Sequence, residues 1–216
     1  VFTINPRGGR ILLQYPDKKN MMITMKRFWN SILLLLPLSM VFLSSCATSS
    51  GLEVYRDPNF DFGAVRIVAV MPFENLSKET QATSRVRDVF MNMLLSTGAI
   101  YVLPSGEVAR GLTRAGLEKA TTISAEDAVR LGGIVKANAV ITGVVREYGE
   151  VRSGSSSSSV ISLSLQMIET QTGRVVWNGS STRGGITASD RLFGGGGRPM
   201  DDVTRDAVIE VLNKLF

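Results

Sequence analysis

Histidine is missing from all 216 residues, and cysteine occurs once, at Cys46. The first absence removes a common zinc ligand and the usual general base near neutral pH. The second excludes a disulfide within the chain and leaves Cys46 as the sole thiol nucleophile. An excess of one charge is lacking where it would matter. The chain as a whole carries +5, but six of its 24 lysines and arginines and one of its 19 acidic residues precede Cys46, which leaves 18 of each sign from there on. A net charge of zero gives no electrostatic reason to expect a nucleic-acid partner. A hydrophobic run long enough to span a membrane is lacking too. Phe28–Leu43 is about 16 residues, interrupted by Pro37, against the ~20 that a spanning helix needs.

What that run does have is a frame. Lys26 and Arg27 stand before it, and Leu43-Ser44-Ser45 close it in front of Cys46. A basic end, an apolar middle and small residues at a cut site make a secretory signal. Leu43-Ser44-Ser45-Cys46 resembles the lipobox of bacterial lipoproteins, which implies a diacylglyceryl group on the Cys46 thiol, cleavage just before it and acylation of the new N-terminus. The alternative reading is a plain signal anchor with an incidental cysteine. Residues 1–24 are expected to be a leader upstream of the true start, with Met21, Met22 or Met25 as initiator, and residues 25–45 the signal. Residues 46–61 read as a lipid-anchored tether, small and polar at first, whose 15 residues after the cysteine reach at most about 50 Å. Residues 62–216 are expected to form one α/β domain facing the periplasm.

Within that domain, Val65–Met71 is an apolar run ended by Pro72 and predicts a buried strand. Ala82, Val86, Val89, Phe90, Met93 and Leu94 recur at helical spacing over 80–96, ahead of Gly98. Ile100–Leu103 predicts a short strand, and Ser105 the cap of a helix ending at Gly116. Ser124-Ala125-Glu126-Asp127 predicts another helix start, with Gly132-Gly133 marking close packing or an early end. Ala139–Val145 and the alternating Val160–Glu169 predict two further strands; Thr170–Gly173 is a turn, and Arg174–Gly179 returns as a hairpin. Residues 180–199 read as a Gly/Ser-rich loop, and Met200–Leu215 as a helix. The order of elements predicts a single-domain α/β sandwich, a mixed sheet flanked by helices.

Three segments carry a family likeness. Val68-Ala69-Val70-Met71-Pro72-Phe73-Glu74-Asn75, Ala137–Gly143 and Ile168–Trp177 resemble, in order and spacing, the opening strand, the second apolar strand and the T-G-x-V-x-W hairpin of the CsgG/LpoB group of lipoproteins, whose fold is similar to the TolB amino-terminal and anticodon-binding domains. The resemblance implies a domain held at the outer membrane by acyl groups on Cys46. It implies action by contact with other envelope proteins, possible assembly with its own kind, and no cofactor or small-molecule substrate. Some members of the group form secretion channels for curli subunits, and others activate a peptidoglycan synthase. Both roles stay open as alternatives to a general accessory in envelope assembly.

Candidate chemistry is sparse. Gly194–Gly197 invites a phosphate-loop reading, but no Lys-Ser/Thr follows it. A serine nucleophile would need Lys78, Lys119, Lys136 or Lys214 as its base. Asp201, Asp202 and Asp206 could face a divalent ion, although acids at a helix start are expected from the dipole alone. The reading is therefore of a protein that is not an enzyme. The residues expected to touch a partner are Ser155 and Ser157, in a serine run read as a solvated hairpin tip, Val160 on the strand behind it, and Trp177, which is either core or interface anchor.

Overall fold

The unbroken apolar runs Ile67–Val70 and Ala139–Ile141 leave both faces of the sheet needing cover, and helices supply it. The structure, a computed structural model, describes residues 54–117, 120–153, 156–185 and 197–216. The strands are β1 (Val54–Arg56), β2 (Ile67–Val70), β3 (Glu74–Asn75), β4 (Tyr101–Val102), β5 (Ala139–Ser153), β6 (Ser156–Glu169) and β7 (Val175–Gly184). The helices are α1 (Ala82–Ser96), α2 (Ser105–Ala115), α3 (Ala125–Val135) and α4 (Met200–Leu215). One mixed sheet runs β1-β7-β6-β5-β2-β4, with β3 beside β5 beyond the end of β2. The β5–β2–β4 part is parallel and is joined by helical crossovers; β5, β6, β7 and β1 are antiparallel neighbours.

In β2, Val68 and Val70 enter a core with Phe90, Leu94, Val208 and Leu212 of α1 and α4. Ala69 and Met71 enter a second, smaller core with Val108, Leu112 and Leu131 of α2 and α3. The four inward residues of β6, Ile161, Leu163, Leu165 and Met167, all line the larger core, each worth roughly 1.5–3 kcal/mol when fully buried. This is the predicted fold class, and α4 keeps the predicted bounds. Ser124 Oγ accepts from the Asp127 N–H, as a helix cap should, and left-handed Gly116 closes α2.

Four expectations need correction. The tether does not extend to residue 61: Val54–Arg56 pairs with Trp177–Gly179, the Asp57 N–H donates to the Val176 carbonyl, and the buried Asp57 carboxylate holds Arg174 at 2.6 Å. A stretch without periodicity hid an edge strand fixed by a long-range ion pair. Ser105 does not cap α2; Pro104 occupies that position, and the Ser105 hydroxyl accepts instead from Arg87. β5 runs eight residues past Val145, because a one-residue irregularity between Val145 and Glu147 resets the alternation and returns Tyr148 to the core. Finally, β7 continues to Gly184, so the stretch read as loop from residue 180 begins as strand. Residues 186–196 lie outside the described residues, as do 1–53.

Gly132 shows why the paired glycines of α3 are not equivalent. A Cβ there would lie 2.3 Å from Thr170, whose hydroxyl donates to the Ala137 carbonyl, whereas one at Gly133 would meet nothing within 4 Å. Gly132→Ala should therefore destabilise the domain by about 1–3 kcal/mol through overpacking, while Gly133→Ala should stabilise it by up to about 1 kcal/mol from helix propensity alone. Urea denaturation of the two variants, followed by Trp177 fluorescence, tests the opposite signs.

Candidate protein-contact site

The residues nominated for partner contact are dispersed by the fold. Trp177 is fully buried, and its indole N–H donates to the Lys214 carbonyl at 3.2 Å. It is a core residue that locks β7 against the end of α4, and the anchor reading is withdrawn. Ser157 is half-buried in β6, opposite Arg152 of β5. Its carbonyl accepts from the Gly197 N–H. Ser158 and Ser159 are buried, so this part of the serine run is strand rather than solvated tip; serine has the small side chain that lets Gly184, Gly185 and Gly197 approach the strand closely. Ser155, together with Leu43, Ser44, Ser45 and Cys46, lies outside the described residues.

Val160 does border an open feature. It lines a groove of about 550 Å³ with Leu76, Ser77, Lys78 and Glu79 on one side and Arg146–Val151 on the other. The groove exists because β3 ends at Asn75. The Leu76 N–H makes the last backbone bond on that side, to the Val145 carbonyl, and from Glu147 to Ser153 no described strand pairs with the outer edge of β5. Exposed Arg146, Glu147, Glu150 and Arg152 and the exposed apolar Leu76 and Val151 decorate this edge. The true ends of the sheet, β1 and β4, are three and two residues long. The sequence marked the edge only through β5 itself, whose second half was missed.

The other charged cluster is internal bracing. Glu210 of α4 accepts from Ser181 Oγ at 2.6 Å, Arg183 Nε at 2.6 Å and Lys214 Nζ at 3.1 Å, and Lys214 also donates to the Ser180 carbonyl. Lys214 is thereby occupied as an ammonium donor and is not poised as a base. Lys78 and Lys136 are exposed, and Lys119 lies outside the described residues. Asp206 pairs with Arg198 at 2.5 Å and holds that guanidinium above its ordinary value, through the hydrogen bond and its charge. Asp201 and Asp202 stay exposed in the first turn of α4, and no metal-holding group of acids is found among the described residues. Gly197 packs on β6, while Gly194–Gly196 lie outside the described residues. Arg87 ties three elements together, donating to the Val70 carbonyl at 2.6 Å and to Ser105 Oγ. Burial lowers its pKa from the ordinary arginine value, against an opposing pull from Asp88.

Together the fold and the open edge define a helix-flanked mixed-sheet α/β domain whose exposed features are suited to contact. The chain belongs to the GNA1162-like family: the family model described as "Putative lipoprotein GNA1162-like" matches residues 60–197. No curated protein sequence matches it. Among solved structures it is similar to the lipoprotein GNA1162 from Neisseria meningitidis (20% identity, 69% of this chain and 97% of that one, TM-score 0.52). It is also similar to a PelC dodecamer from Paraburkholderia phytofirmans (18% identity, 76% and 96%, TM-score 0.50). The LpoB C-terminal domain from Salmonella enterica aligns less well (15% identity, 58% and 86%, TM-score 0.46). At these identities the likeness is one of fold.

Burial alone would raise the Glu210 carboxyl, but hydrogen bonds from Ser181 and Lys214 and the charges of Lys214 and Arg183 outweigh it and hold the group below the ordinary carboxylate range. A depressed folded-state pKa adds stability that is complete above the unfolded value, about 4.3, and lost as pH falls through the folded one. Glu210→Gln should therefore cost roughly 1–2 kcal/mol at pH 7. The gap from the parent should narrow below about pH 4, as measured by denaturation across that range.

Proposed function

We propose that this protein is an outer-membrane lipoprotein, anchored through acyl groups on Cys46 with its domain facing the periplasm. It serves as a non-catalytic accessory in envelope assembly or secretion and works by binding other proteins. The supporting observation is positional. In a chain of a lipoprotein family, the single cysteine follows an uncharged apolar run and two serines and stands eight residues ahead of β1. The seven residues between Cys46 and β1 reach at most about 25 Å, which holds the domain near its membrane. That reach does not favour activation of a synthase across the envelope. The similarity to a PelC described as a dodecamer supports assembly with its own kind.

A CsgG-like channel subunit is the second reading. β5 and β6, at 15 and 14 residues, exceed the roughly 9–11 that a membrane strand needs. Their outer half carries Arg146, Glu147, Glu150 and Arg152 rather than an apolar band, which favours the accessory role.

Intact-mass analysis of protein extracted from native membranes should find a chain that begins at a triacylated Cys46. Cys46→Ala should retain the signal and lose the acyl mass. A parent chain with a free Cys46 thiol and residues 25–45 still attached would end the anchor reading. Conductance in lipid bilayers would move the assignment to the channel.

A further inference from the structure

The outer edge of β5, which no strand among the described residues pairs beyond Leu76, has a polarity that can be read from its neighbours. Across the β5–β6 pairing, Glu150 stands opposite Ser159 and Arg152 opposite Ser157. The Ser159 and Ser157 carbonyls turn the other way and accept from Gly185 and Gly197. Residues opposite one another in an antiparallel pair either both bond across it or both turn outward. Glu150 and Arg152 therefore present their N–H and C=O groups to the open edge. Such an edge is a template for another strand, and proteins that need to stay apart blunt it with charged side chains, proline or a bulge. This edge is free of proline from Glu147 to Ser153, its one irregularity precedes that stretch at Arg146, and its charges have both signs, so that a second copy can pair them.

We infer that the β5 edge over 149–153 is a self-association site, at which a second copy of this chain adds its own β5 antiparallel across a two-fold axis at Val151. The charge pattern selects the partner and the register. About Val151, Glu150 of each copy faces Arg152 of the other, which gives two opposite-charge pairs from side chains that are 61% and 79% exposed and only 3.7 Å from each other within one chain. Shifting the axis to Glu150 would set that glutamate against itself, and shifting it to Gly149 would set Arg146 against Arg152. In the Val151 register the two valines form a non-hydrogen-bonded pair, the closer kind, so a side chain left 38% exposed is covered. The contact is isologous, and β6-β5-β5-β6 becomes one ribbon running between two domains. It names a partner for the contact reading above but rests on the strand edge, independently of acylation at Cys46.

The test uses the full chain extracted in mild detergent. Sedimentation should show an associating species whose dissociation is made at least about tenfold easier by Glu150→Arg or by Arg152→Glu, since each places like charges opposite one another twice. The double swap Glu150→Arg/Arg152→Glu should restore it. Val151→Cys should give a disulfide-linked dimer under mild oxidation, beyond whatever the parent chain forms through Cys46. Thermal melts of each variant confirm that these exposed positions leave the fold intact. A parent chain that stays monomeric at the highest attainable concentration would overturn the proposal. So would association that ignores both swaps, or a Val151→Cys chain that cross-links no more than the parent. Intact mass reads the anchor separately, so loss of one result leaves the other standing.

Discussion

The pairing of β5 with β6 is the constraint on which the rest of the molecule depends. It runs from Ala139–Glu169 to Ser153–Ser156 with one irregularity at Arg146, longer than any other pairing in the sheet. A strand's side chains alternate with a period of two, so a slip of one residue would turn Ile161, Leu163, Leu165 and Met167 out of the larger core and bring serines and Gln166 into it. The same ladder hands register on to both sides. β2 takes its place from β5 through Val68–Val70 against Ala139–Ile141, and β7 takes its place from β6. α4 then closes over β7, fastened by Trp177 to Lys214 and by Ser181 and Arg183 to Glu210.

The length of that ladder also creates the open edge. β6 is covered on its far side up to Ser157, by β7 and then by Gly185 and Gly197. β5 loses its neighbour at Asn75, so for seven residues one edge of an interior strand is left without a described partner. The irregularity at Arg146 allows this stretch to persist, because it returns Tyr148 to the core and ties the outer half of the strand to the body of the domain.

Residues with one dominant local signal were legible in the sequence. The period of α4, the Ser124 cap and the alternation of β6 each announce their element without help from distant parts of the chain. What stayed hidden depends on partners far away in sequence. β1 has no periodicity and exists because Asp57 meets Arg174 and Val176. The outer half of β5 went unassigned because its alternation is broken at Arg146. The serines of β6 read as a solvated tip, because nothing local reveals that Gly184 and Gly197 approach them so closely that a Cβ would collide. Trp177 was balanced between core and anchor, and α4 decides it. The candidate site fared worst for the same reason: only Val160 borders the groove, while the residues that define the edge fell in the missed half of the strand.

The distribution of reactive groups bears on what kind of work the domain performs. The lysine with the best chance of acting as a base, Lys214, is committed to Glu210 and a carbonyl. Glu210 is held ionised by three donors, and the Ser181 hydroxyl that points to it is buried. Each of these groups is held by partners within the fold, as suits a brace between helix and sheet. Among the described residues, main-chain groups without a strand partner lie along the outer edge of β5. Backbone groups of that kind recognise another extended backbone, and the side chains between them choose which one.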